Sequence, residues 1–331
     1  MAPEDFEHAP RPPETDRPEG RNRPERPDPR LPPVARSGLY LVLFVFLQVA
    51  VGVPVLLIWA VATDTNLLLL AERGTVPGGL ALFVYAALAP VIVAFTAVWV
   101  RWLDGKGLRD LGARLPARPG VQTAVSLVGV AAVLGGWLAV AAAFGEVRFG
   151  GLAAGFGEGA GPFEGVGGGA ALLGLLLLGF LVQGGVEEWV FRGYVFHALR
   201  ERWSWASAAG GSSAAFAILH GLNPSVSLPG LVNTFLLGLV LAAVTELTGS
   251  LLAPAVLHGW WNFAMACLLS VPVSGVRLFH LLDLGVAGPG AITGGDYGPE
   301  GSWALTALVV PVLVVLAAKV DRKRGAAEGP P

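Results

Sequence analysis

The chain has 331 residues, 54% of them hydrophobic and only 14% charged, with a mean hydropathy of +0.64. A soluble domain carries roughly 25% charged residues, so the composition excludes an ordinary soluble enzyme and indicates a helical, polytopic membrane protein. The net charge of -2 gives no reason to expect nucleic acid as a partner, and the single cysteine, Cys267, rules out both a disulfide framework and a cysteine zinc site.

Residues 1–37 contain ten prolines among alternating Arg and Asp/Glu. They are read as a disordered cytosolic tail. The first apolar run starts only near Gly38 and is long enough to span, so it is expected to stay in the membrane. Eight helical spans are predicted, at about 38–61, 80–103, 121–144, 169–200, 205–222, 228–247, 251–270 and 303–320. Asn223-Pro224 supplies the turn between the fifth and sixth. Residues 38–320 thus form a transmembrane bundle, and 321–331 a second cytosolic tail.

Loop charges orient the bundle. Seven arginines precede the first span. The loop after the second carries Arg101, Lys106, Arg109, Arg114 and Arg118, the junction after the fourth Arg200 and Arg202, and the C-terminal tail Lys319, Arg322, Lys323 and Arg324. The intervening loops carry Arg73, Arg148 and Arg277 or no basic residue. By the positive-inside rule both termini are cytosolic and the chain belongs in the inner, cytoplasmic membrane. Trp99, Trp102, Trp203, Trp205 and Trp303 fall at span ends and read as interfacial anchors. The Gly/Pro-rich stretches 145–168 and 284–302 read as outer loops, and 104–118 as a segment lying along the cytosolic interface.

Three clusters carry polar groups into these helices: Glu187, Glu188 and Arg192; Phe216 with His220; and His258 with Asn262. An ion at membrane depth costs roughly 2.5–3.5 kcal/mol even on the lenient insertion scale. Glu188 and Arg192 are one helical turn apart and can pair on one face. Glu187 is rotated about 100° from Glu188 and is left without a partner on its own helix. His258 and Asn262 also share a face. Counted from the predicted cytosolic ends, Glu187, His220, His258 and Asn262 come to overlapping depths. His8 and His280 fall in the tail and a loop, and His197 near a span end.

A carboxylate beside two imidazoles has two chemical uses. It can act as a general base on water, with Asn262 and one imidazole donating to an oxyanion. Alternatively Glu187, His220 and His258 could hold zinc. Neither HExxH nor GxSxG occurs. Polar side chains also link membrane helices without chemistry, and Phe216, Asn233, Thr234 and Glu246 are read as packing or interface residues.

The segments EEWVFR (187–192), FAILH (216–220) and HGWWN (258–262) resemble, in order, the EExxxR, FxxxH and HxxxN motifs of the CAAX prenyl protease 2 (CPBP) family, the Rce1-like and Abi-type intramembrane endopeptidases. The resemblance spans about 120–270. It implies an eight-helix protease whose site opens toward the cytosol. Glu187, helped by His220, would activate water, while His258 and Asn262 would stabilise the oxyanion. Glu188, Arg192 and Phe216 would support them. A glutamic mechanism without a cofactor is favoured over zinc. The expected substrate is a peptide or membrane protein within the bilayer, lipidated in the CAAX branch. The competing expectations are a non-catalytic bacteriocin-immunity or adaptor protein, and a proton-linked transporter using Glu187.

Overall fold

The computed structural model describes residues 31–67, 78–152, 169–277 and 282–328. His8, His280, most of the N-terminal tail and the stretch 153–168 lie outside them. Eight helices occupy the positions of the apolar runs: α1 (Pro33–Ala62), α2 (Gly78–Leu103), α3 (Pro119–Phe144), α4 (Gly169–Glu188), α5 (Trp205–His220), α6 (Leu228–Thr248), α7 (Leu252–Phe263) and α8 (Trp303–Glu328). Helix α8 runs past the predicted end at 320. Among the described residues six helical stretches are long and apolar enough to cross a membrane: α1, α2, α3, α4 with its extension, α6 and α8. The shorter α5 and α7 pack against α6 and α4 respectively. The chain is a multi-pass membrane protein.

Helix starts follow local sequence. Ser204, Ser227 and Ser302 each accept a backbone N–H of the first turn through their hydroxyls, at 3.1–3.2 Å. Two helices change winding part-way. α4 continues as a π-helix over Trp189–Val195 and returns to α over Phe196–Leu199, and α7 continues as a π-helix over Ala264–Leu268. Each π segment begins within two residues of a polar motif, the acidic pair or Asn262. Such segments are rare and are often found at functional sites.

One end of the bundle gathers the basic junctions. Arg36, at the start of α1, donates to Asp104, just past α2, and to Glu201, just past the end of the α4 extension. Lys106 also donates to Glu201. Arg114 Nε donates to the Gly249 carbonyl at 2.5 Å, and Lys323 on α8 to the Glu246 carbonyl at 2.7 Å. Burial pushes the Asp104 carboxyl above its ordinary value, against the pull of Arg36. The segment 104–118 is therefore docked on the bundle end, with Leu111 in a 3-10 turn and buried, because its polar groups find partners in the α6–α7 turn. Trp99 is likewise buried with Tyr40 and Tyr194 and is no interfacial anchor, whereas Trp102 is exposed.

The opposite end is also ordered. β1 (Glu146–Leu152) pairs antiparallel with β2 (Leu282–Ala287), Glu146 facing Ala287. A single turn at Gly290–Thr293 and 3-10 turns at Gly295–Tyr297 and Pro299–Gly301 follow, with Tyr297 and Glu300 buried. The stretch read as a loop is compact because Gly294 and Gly298, each at φ +85°, fold it back on itself.

The central contact is between α4 and α7. A Cβ on Gly184 would lie 2.7 Å from the Gly259 backbone nitrogen, and one on Gly259 would lie 2.7 Å from the Leu181 Cα and the Phe180 carbonyl oxygen. Only paired glycines let the two backbones approach this closely. We expect Gly259→Ala to cost about 1–3 kcal/mol by overpacking, read as a lowered thermal midpoint in detergent. Gly52→Ala in α1, where a Cβ meets nothing within 4 Å, should leave the midpoint unchanged.

Candidate active site

The site is assembled around that crossing. Glu188, at the end of α4, is fully buried, and its Oε1 accepts from Arg192 Nη1 at 3.0 Å. The same oxygen accepts from His258 Nδ1, on α7, at 2.9 Å. Arg192, also fully buried, donates through Nη2 to the Gly238 carbonyl of α6 at 2.9 Å. Its guanidinium carbon stands 4.6 Å from the centre of the Phe216 ring, a cation–π contact that gives the buried charge a further partner. Gly238 leaves the room: a Cβ there would meet Arg192 Nη2 at 2.9 Å.

Glu187 is placed differently. Its side chain is 22% exposed and lines a cavity of about 660 Å³. Oε1 accepts from Gln183 Nε2 at 2.5 Å. Oε2 has no hydrogen-bond partner and faces His258 Nε2 at 3.7 Å, beyond bonding range. One oxygen of this carboxylate is thus uncommitted. Glu188 Oε2 also lacks a hydrogen-bond partner, but Glu188 is fully buried and off the cavity wall, so Glu187 is the carboxylate whose uncommitted oxygen a ligand can reach.

The hydrogen bonds assign the imidazoles. His220 Nδ1 is 2.9 Å from the Phe216 carbonyl oxygen; a carbonyl can only accept, so Nδ1 carries the proton and neutral His220 presents Nε2 as an acceptor. His258 Nδ1 donates to the Arg192-paired carboxylate of Glu188, which leaves its Nε2 toward Glu187. Phe216 stands between the two, its ring centre 4.3 Å from that of His220 and 5.8 Å from that of His258. Asn262, one turn after His258, donates Nδ2 to Gln183 Oε1 at 2.8 Å.

Glu187, His220, His258 and Asn262 therefore line one cavity, whose wall is otherwise mostly apolar. Glu188 and Arg192 lie behind it. Two contributors were not singled out from the sequence. Gln183 links Glu187 to Asn262, and its only signal is its place one turn before Glu187. Glu300, buried and on the cavity wall, left no signal in a Gly/Pro-rich stretch. As zinc ligands Glu187, His220 and His258 have suitable atoms, but among the described residues no three His, Cys, Asp or Glu side chains stand close enough to hold a metal ion.

Residues 169–264 match the type II CAAX prenyl endopeptidase Rce1-like family. The match runs from the start of α4 to just past Asn262, so it contains all three motif segments and agrees with the resemblance read from them. Helices α1–α3 and α8 lie outside it. No curated protein and no solved structure matches the chain. The Rce1-like segment supports an intramembrane CAAX-type protease, hence a hydrolase acting on a peptide in a lipid environment.

Removing one partner of a buried ion pair strands the other. Arg192→Ala should destabilise the protein by about 3–5 kcal/mol, measured as the unfolding midpoint in detergent. Arg192→Lys should fall between it and wild type, since a single ammonium cannot reproduce both the Glu188 and the Gly238 contacts.

Proposed function

We propose that this chain is an intramembrane endopeptidase of glutamic mechanism. The observation that carries the reading is the uncommitted Glu187 Oε2, on the wall of a cavity shared with His220, His258 and Asn262. In this mechanism Glu187 takes a proton from water as the water oxygen attacks the peptide carbonyl. His220 Nε2, an acceptor in the neutral ring, orients that water or receives its second hydrogen bond. The developing oxyanion is met by the Asn262 amide proton that Gln183 does not take and, in the doubly protonated ring, by the Nε2–H of His258, its Nδ1–H staying on Glu188. Collapse breaks the C–N bond, and the proton held on Glu187 passes to the leaving amine.

Glu188 and Arg192 support the site. Their ion pair holds His258 by Nδ1 and so turns Nε2 toward the reacting groups. Gln183 engages Glu187 Oε1, which leaves Oε2 as the base. The zinc alternative would use the same three side chains, and no step is assigned to a metal here. Substrates are peptides or membrane proteins, including lipidated CAAX-type tails, and the basic junctions favour residence in the cytoplasmic membrane with the termini in the cytosol.

Protein reconstituted in liposomes is assayed against a quenched fluorescent peptide library. Glu187→Ala and His220→Ala should each lower kcat about 10²–10⁴-fold, with folding checked by thermal midpoint. Cleavage by both variants at the wild-type rate would refute the reading. Activity that survives exhaustive chelation favours the glutamic route, and loss restored by zinc favours the metal.

A further inference from the structure

Glu300 is a buried carboxylate outside the Rce1-like segment, and no ion pair among the described residues involves it. Burying an ion without a counter-ion is unfavourable unless hydrogen bonds replace its water. Here they do. Oε1 accepts from the Trp261 indole N–H at 3.0 Å. Oε2 accepts from the Ser274 backbone N–H at 2.8 Å and from the Ser274 hydroxyl at 2.5 Å.

Both partners lead to the active site. Trp261 precedes Asn262 and lies on the same cavity wall. Ser274 accepts, through its carbonyl, from Asn223 Nδ2 at 3.1 Å, and Asn223 is three residues beyond His220. One carboxylate thus braces the helix that carries Asn262 and the end of the helix that carries His220. The brace is itself anchored. Asn233 Nδ2, on α6, donates to the carbonyls of Glu300 and Ser302, each at 2.7 Å, and its Oδ1 accepts from Thr306 of α8 at 2.7 Å. Ser274 sits at φ +46°, an uncommon conformation for a residue with a side chain. A single hydrogen bond at the cavity wall would satisfy Trp261. A charged acceptor with three donors, two of them on a strained residue, is more than packing needs.

We propose that Glu300 is a positioning residue that sets the separation of Asn262 and His220 by holding Trp261 and Ser274 at once. This rests on the protease reading above, and the experiment separates the two. Full-length protein in liposomes is assayed with a quenched fluorescent peptide cleaved by wild type. Glu300→Ala is expected to lower kcat about tenfold with KM within about twofold, at constant active-site fraction. Trp261→Phe, which removes the N–H and keeps an aromatic ring, should act in the same direction. The double variant should fall no further than Glu300→Ala alone, because Trp261→Phe removes only a contact that Glu300→Ala has already removed. Glu300→Gln, which keeps one acceptor, should recover most of the rate; it and Trp261→Phe carry the comparison if Glu300→Ala does not fold. Independent, multiplicative effects, or a wild-type kcat in Glu300→Ala, would overturn the proposal.

A wild type that cleaves no peptide would sink the protease reading. The brace is then decided without activity. In a Cys267→Ala/Asn262→Cys background, Glu300→Ala should change the maleimide labelling rate of the introduced thiol at least about fivefold. An unchanged rate would overturn the proposal.

Discussion

The α4–α7 crossing at Gly184 and Gly259 is the constraint on which the site depends. Lipid offers no hydrophobic drive for two apolar helices to associate, so contact must come from close packing and hydrogen bonds. Two facing glycines supply the first. The residues flanking them supply the second. Gln183 and Glu188 lie on one helix, His258 and Asn262 on the other, and two hydrogen bonds cross between them at 2.8 and 2.9 Å. Glu187 meets His258 at 3.7 Å by the same approach. A methyl group at the crossing would open every one of these distances together.

Charge is managed by division. Three ions enter one helix, but two of them neutralise each other behind the cavity, where Gly238 and Phe216 complete the surroundings of the guanidinium. The third is left at the cavity wall with one oxygen held and one free. The pair therefore serves the remaining carboxylate twice. It removes Arg192 as a competing partner, and through Glu188 it orients the imidazole that faces Glu187. The π segment that follows the acidic pair holds Arg192 and the aromatic residues packed around it.

Much of this was legible in sequence, for local reasons. Apolar runs of about 20 residues locate helices because hydropathy is a property of composition. The i,i+4 relation of Glu188 to Arg192, and of His258 to Asn262, follows from helix geometry alone. Loop arginines grouped the junctions that the structure gathers at one end of the bundle. The compact turns at 290–301 were hidden because Gly and Pro signal a turn without saying what packs on it. Trp99 was misread because a tryptophan at a span end looks the same whether it meets lipid headgroups or a tyrosine pair.

By itself, then, the sequence determined the membrane class, the helix positions, the motif residues and the separation of Glu187 from its self-paired neighbours. Each depends on spacing within one helix. Only the tertiary structure decided that His258 bonds Glu188 and faces Glu187, that Gln183 joins Glu187 to Asn262, and that Glu300 stands behind Trp261 and Ser274. Those contacts depend on the rotation and closeness of different helices. Single-helix periodicity carries no record of either; the glycines that permit the approach become informative only once the residue facing each is known.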